Sequence, residues 1–163
     1  MAYNTIKVKK YSDVIEEYEA AAAITPGMLV EATAGAATIR AHSTDGGNAI
    51  PMFALEDAMQ GNGIDDDYAA ADRVQVWIAG RGDMVNALLR DEENVAIGDF
   101  LISDGVGRLR EYTAEYGDSS VDIAPLQIVA VALEAVDLSV LPEGSESSAG
   151  GDYYNPRILV RIV

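Results

Sequence analysis

The chain has 163 residues, 49% of them apolar, which is enough for a domain with its own core and too many for a disordered tail. It holds no cysteine and a single histidine, His42, so disulfides and thiolate metal sites are excluded and a zinc or histidine-based catalytic site has little to work with. Asp and Glu number 27 against 11 Lys and Arg, a formal net charge of −16, which argues against nucleic acid, since affinity for phosphates comes from cations that neutralise them.

The cations are unevenly spread. Lys7, Lys9 and Lys10 are the only lysines, and every later cation is an arginine. A charge of −16 repels itself at ordinary ionic strength, while at ~1 M salt the screening length falls to roughly 3 Å. The composition is therefore that expected of a protein working in concentrated salt, the alternative being an ordinary acidic protein. The longest early apolar run, Ala20 to Ile24, is short and follows Glu16, Glu17 and Glu19, so neither a signal peptide nor a membrane span is expected.

In chain order, residues 1–10 read as an extended arm with a short strand around Ile6-Lys7-Val8. Val14 to Glu19 reads as a strand that runs into a Pro-Gly turn, with a helix as the alternative because Glu and Ala favour one. The stretch Ile24-Thr25-Pro26-Gly27-Met28-Leu29-Val30 then sets a tight turn that feeds a buried strand: Pro26 fixes φ at one turn position and Gly27 supplies a positive φ at the next. Met28 to Ala32 and Thr38 to Ala41 form a first hairpin around Ala34-Gly35. The motif returns at Val95-Ala96-Ile97-Gly98-Asp99-Phe100-Leu101, and each copy leads through a Gly-bearing turn to a short piece ending in Arg, Thr38-Ile39-Arg40 and Arg108-Leu109-Arg110. One spacing differs by a residue between the copies, so a structural repeat and a coincidence of hairpin starts both stay open.

His42 reads as a surface or hydrogen-bonded structural histidine. Met52-Phe53-Ala54-Leu55 is a compact core strand. The acidic triplet Asp65-Asp66-Asp67 lacks the alternating ligands and terminal Glu of a calcium loop and is read as solvated, and Gly61-Asn62-Gly63 lacks the Lys-Ser/Thr of a phosphate loop. Arg73 to Ile78 alternates cleanly as a strand, Gly80-Arg81-Gly82-Asp83 makes a hairpin turn, and Met84 to Leu89 returns. The Arg-Gly-Asp tripeptide in that turn matches a cell-adhesion motif, but a Gly-Asp turn explains it fully. Ser103 to Gly107 is the second hairpin loop. Tyr112 to Ser120 reads as polar and exposed. Leu126 to Leu133 reads as a long buried strand, apolar on both faces and so central or at a subunit contact, Pro142 to Asp152 as a mobile loop, and Arg157 to Val163 as a final strand paired in a sheet.

These pieces predict an all-β fold: a single β-barrel or sandwich domain of roughly ten short strands over residues 11–163, with an extended N-terminal arm over 1–10. No cofactor and no metal is expected.

The order of the pieces resembles the small head-decoration, or cement, proteins of tailed viruses. The matching features are the arm, the Ile24 to Val30 turn, Ala54-Leu55-Glu56 before a Gly-rich loop, Tyr68 to Val76, and Gly82-Asp83 leading to Ala87-Leu88-Leu89. Ile97 to Leu101, Ala130 to Asp137 and the Arg157 to Val163 strand complete the series. The resemblance implies a non-enzymatic β-rich protein, homotrimeric on the outer surface of the virion, that binds the major capsid protein and bridges its subunits. The acidic composition departs from most such proteins and fits a virus of a halophilic, haloarchaeal host. The capsid contact is expected at Asn4, Thr5, Ile6, Lys7, Val8, Lys9 and Lys10, where the lysines cluster and a strand could add to another chain. Two other classes stay open. A non-catalytic β-barrel module for a ligand or carbohydrate would need an aromatic platform, for which Trp77 and scattered tyrosines are the material. A glycosidase would need a working carboxylate pair, and pairs mean little among so many acids.

Overall fold

In the computed structural model, residues 3–11, 13–34, 37–113, 127–139 and 155–163 are described, and within them the fold is all β. The strands are β1 (Lys7–Lys9), β2 (Val14–Ala20), β3 (Val30–Ala32), β4 (Thr38–Ala41), β5 (Met52–Ala54), β6 (Arg73–Ile78) and β7 (Met84–Leu88). They continue as β8 (Asn94–Val95), β9 (Phe100–Ser103), β10 (Leu109–Glu111), β11 (Ala130–Ala132), β12 (Val136–Asp137) and β13 (Arg157–Ile162). One sheet has six strands in the order β1-β7-β13-β11-β9-β10, another five in the order β3-β4-β2-β6-β5, and β12 pairs with β8 in a small ribbon. No sheet closes on itself, so of the two architectures expected the sandwich-like one is realised. The thirteen strands exceed the ten expected among the described residues because two-residue pieces such as β8 and β12 carry too little alternation to be read in advance.

Alternation explains the core. In the five-stranded sheet Phe53 lies opposite Trp77 and Ala54 opposite Val76. Phe53 and Trp77 point inward, where they meet Val85, Leu89, Leu101, Leu109, Ile158 and Val160 of the other half in the larger cluster. The alternate residues Ala54, Val74 and Val76 point outward into a second cluster with Ile39 and Met52, which Ile24 and Tyr68 close. This sheet is therefore buried on both faces over part of its area.

The repeated motif is a structural repeat. Gly27 and Gly98 have φ of 93 and 96°, and the turns close alike, Met28 N–H to the Thr25 carbonyl at 3.1 Å and Asp99 N–H to the Ala96 carbonyl at 3.2 Å. Each feeds an antiparallel hairpin, β3–β4 in one sheet and β9–β10 in the other. The registers correspond: Val30 faces Ala41, Glu31 faces Arg40 and Ala32 faces Ile39, as Leu101 faces Glu111, Ile102 faces Arg110 and Ser103 faces Leu109. The one-residue difference in spacing is taken up in the loop, where it leaves the ladder untouched.

The first copy also joins the sheets. Gly27 N–H donates to Ala54 of β5 at 2.8 Å, while its carbonyl accepts from Leu88 of β7 at 3.1 Å. A side chain here would stand 3.2 Å from Ile6 Cδ1 and 3.3 Å from the Asn86 carbonyl, so the close approach requires glycine. Arg157 reaches the same turn from β13, donating to the Pro26 carbonyl at 3.2 Å.

Two connections differ from expectation. Gly80 to Asp83 is not a hairpin turn: β6 belongs to the five-stranded sheet and β7 to the six-stranded one, so this turn carries the chain from one layer to the other. Leu126 to Leu133 does not form one long strand; its paired part is Ala130–Ala132, central between β13 and β9 as expected, while Ile128 is partly exposed where the chain leaves the ladder. Leu126, Gly35, residues 114–120 and the loop 142–152 lie outside the described residues. Three strand expectations hold: Val14–Ala20 is strand rather than helix, Arg73–Ile78 is a strand, and β13 is paired on both sides.

Candidate interaction surface

The N-terminal segment is packed on the body of the chain. Ile6 is 0% exposed, part of the larger core cluster. Its N–H donates to Glu56 Oε2 at 3.1 Å, and the Thr5 hydroxyl donates to the other oxygen of that carboxylate. Asn86 Nδ2 donates to the Tyr3 carbonyl at 3.4 Å. Lys7 to Lys9 pairs with β7 at the edge of the six-stranded sheet, with a register shift between Lys7 and Lys9. A short, bulged, lysine-bearing edge is a poor template for uncontrolled strand addition. Asn4, Lys9 and Lys10 are exposed, and Thr5, Lys7 and Val8 are half-buried.

Much of the lysine charge is spent locally. Lys7 and Lys10 both bind the exposed Asp13 carboxylate, Lys7 at 3.1 Å, and these hydrogen bonds, that of Lys10 first, hold Asp13 below the ordinary carboxylate range. Lys9 Nζ instead lies 5.1 Å from the centre of the Tyr11 ring.

Tyr11 organises the surface beyond. The residue is 70% exposed, yet it is held: its N–H donates to Asp83 Oδ1, and its ring edge lies beside Gly82, 3.7 Å from where a side chain would begin. Asp83 is itself 0% exposed, with Oδ2 accepting from Gly80 N–H at 2.7 Å. The Arg-Gly-Asp tripeptide thus hides its carboxylate in a structural turn, which disposes of the adhesion reading. Met84, the next residue, faces Lys9 on one side and Arg161 on the other. Two strand spacings put Lys9 and Arg161 about 10 Å apart across Met84, and Arg81 stands in the adjoining turn, whose Gly82 N–H donates to Ile162 at 2.9 Å. Lys9, Arg81 and Arg161 are all exposed.

Other candidates resolve differently. His42 is buried and structural: Nε2 donates to the Asn48 carbonyl at 3.1 Å, so Nδ1 accepts from the Ser103 hydroxyl at 2.7 Å, tying the first hairpin to the second. Trp77 is buried in the core and offers no aromatic platform. Burial, Asp99 and Glu93 together push the Glu111 carboxyl above its usual range, but Glu93 is engaged in accepting the Glu111 N–H at 3.0 Å. Among the described residues no group of three or more His, Cys, Asp or Glu could hold a metal ion, and Asp66 of the triplet serves its own turn by accepting from Gly63 N–H at 2.6 Å.

Sequence reading pointed to the lysines and did not show that Tyr11, Arg81 and Arg161 stand near them. Arg81 and Arg161 lie eighty residues apart, and only the β7–β13 register brings them to one corner.

No family model matches this chain, and no curated protein matches it. Among solved structures it is similar to the head fiber gp8.5 N base in bacteriophage phi29, with a TM-score of 0.55 and 12% identity, over 93% of this chain and 95% of that one. At that identity the likeness concerns the fold.

Proposed function

We propose that this chain is a virion structural protein that decorates the outer surface of an icosahedral capsid, binding the major capsid protein and bridging its subunits without catalysis. The observation that carries the reading is the fold shared with part of a phage head fiber over nearly the whole of both chains. The order of turn and strand motifs resembling capsid cement proteins supports it independently, and the buried Trp77 weighs against the carbohydrate-module alternative. The contact is placed on the N-terminal segment: Asn4, Thr5, Lys7, Val8, Lys9 and Lys10 present the accessible surface and Ile6 anchors it to the core. The working unit is a homotrimer. The test is sedimentation of purified protein with particles that lack it, followed by imaging of the decorated shell. Saturable co-sedimentation with trimeric density on the outer surface is expected; no binding to intact particles overturns the reading.

The host is proposed to be halophilic. With a charge of −16 and only 11 cations, the folded chain should gain stability as salt screens its self-repulsion. Its melting temperature is expected to climb from low to multimolar salt. A flat or falling curve removes the halophilic host and leaves an acidic protein of ordinary habitat.

A further inference from the structure

We infer that the corner formed by Lys9, Tyr11, Arg81 and Arg161 is the part of this protein that grips its partner, and that the partner presents a carboxylate-rich protein surface. The inference rests on the capsid-decorating role and adds residues outside the N-terminal segment to it.

The argument starts from the cations. Seven of the 11 Lys and Arg pair with carboxylates: Lys7 and Lys10 with Asp13, Arg40 with Glu31, Arg90 with Glu93, Arg108 with Asp104, Arg110 with Asp45 and Arg157 with Asp65. Lys9, Arg73, Arg81 and Arg161 have no ion pair among the described residues. Among the described residues a cation without a carboxylate is in the minority, four of 11, and three of these four share one corner. Arg73 stands elsewhere, at the far end of β6 opposite Glu19.

The second observation is Tyr11. A tyrosine exposed to 70% is normally free to turn, but here its backbone is tied to a buried carboxylate and its ring lies against Lys9 and Gly82. Tyrosine and arginine are the residues that most often carry interface energy, because they offer large contact area at small entropic cost and fixed multidentate donors. A held Tyr in contact with Lys9, with Arg81 and Arg161 at the same corner and no ion pair for any of the three cations among the described residues, fits a protein surface whose carboxylates supply the pairs. The chain's charge of −16 disfavours nucleic acid at the same place. In concentrated salt the long-range attraction is screened, but contact pairs and the Tyr11 stacking surface persist.

The test uses full-length protein titrated against particles that lack it, with melting temperature as a folding check. Arg81→Gln/Arg161→Gln and Tyr11→Ala are each expected to weaken binding at least about tenfold. Arg73→Glu, which changes net charge by the same amount at another place, should stay within about twofold. Equal binding by all variants overturns this inference while leaving the decoration role intact; no binding by wild type overturns both. Competition by duplex DNA that is lost in the double variant would overturn the assignment to a protein surface.

Discussion

Gly27→Ala is expected to destabilise the fold by about 2–5 kcal/mol, while Gly98→Ala costs about 1–2 kcal/mol. The two glycines share nearly the same φ, 93 and 96°, so the penalty for placing an L side chain in the left-handed region is common to both. They differ in surroundings. Nothing lies within 4 Å of a side chain at Gly98, whereas one at Gly27 meets Ile6 Cδ1 at 3.2 Å and the Asn86 carbonyl at 3.3 Å. The Ile6 methyl could shift, but the Asn86 carbonyl belongs to the β7 backbone. Moving it disturbs the ladder that Gly27 itself completes through its bonds to Ala54 and Leu88. Urea unfolding of the two variants measures the difference directly. Equal losses would mean that the turn at Gly27 does not hold the sheets together.

Ile6→Ala is expected to cost about 2–5 kcal/mol, the range for emptying a fully buried aliphatic site, against less than about 1 kcal/mol for Val8→Ala two residues on. Ile6 is wholly buried among core residues, whereas Val8 is half-buried on an edge strand. The same comparison bears on how the capsid contact is tested. Removing residues 2–10 would take Ile6 out of the core and Thr5 away from Glu56, so lost binding could not be told from lost folding. Substitutions at exposed positions avoid that confusion. If Ile6→Ala melts like wild type, the segment is a detachable arm after all, and truncation becomes the cleaner experiment.

Much of the fold was legible because alternation reports which face of a strand is buried. Arg73-Val74-Gln75-Val76-Trp77-Ile78 shows this best, and the paired Gly-bearing motifs marked both hairpins, while the repeat and its shared register became visible only in the strand pairing. What alternation does not report is the neighbour. Nothing local to Gly80-Arg81-Gly82-Asp83 says that the chain changes sheets there, because a turn that reverses a strand and one that changes layers use the same residues. The apolar run before Leu133 looked like one strand because its composition suits one, yet pairing on both sides limits β11 to three residues. Ile6 looked like part of an arm because a single isoleucine among lysines has no periodicity to betray its burial. The corner of Tyr11, Arg81 and Arg161 was illegible for a related reason: residues far apart in the chain meet there only through the β1–β7–β13 pairing.

The two copies of the Gly turn have opposite surroundings. Thr25, Pro26 and Gly27 are buried at the junction of the sheets, whereas Ala96, Ile97 and Gly98 are exposed with open space beside the glycine. The hairpin that follows the exposed copy has its own β9–β10 register, and the turn is tied to β11 through Gly98 N–H to Ala132 at 3.0 Å and Ala132 N–H to Asp99 at 2.9 Å. That makes the exposed Ile97, ahead of the residues bonded to β11, the natural place to splice in a foreign peptide for display, since added chain there enters solvent and costs only slowly growing loop entropy. The buried twin admits no such graft, so a display library built on this scaffold has one usable copy of its repeat and one that must be left alone.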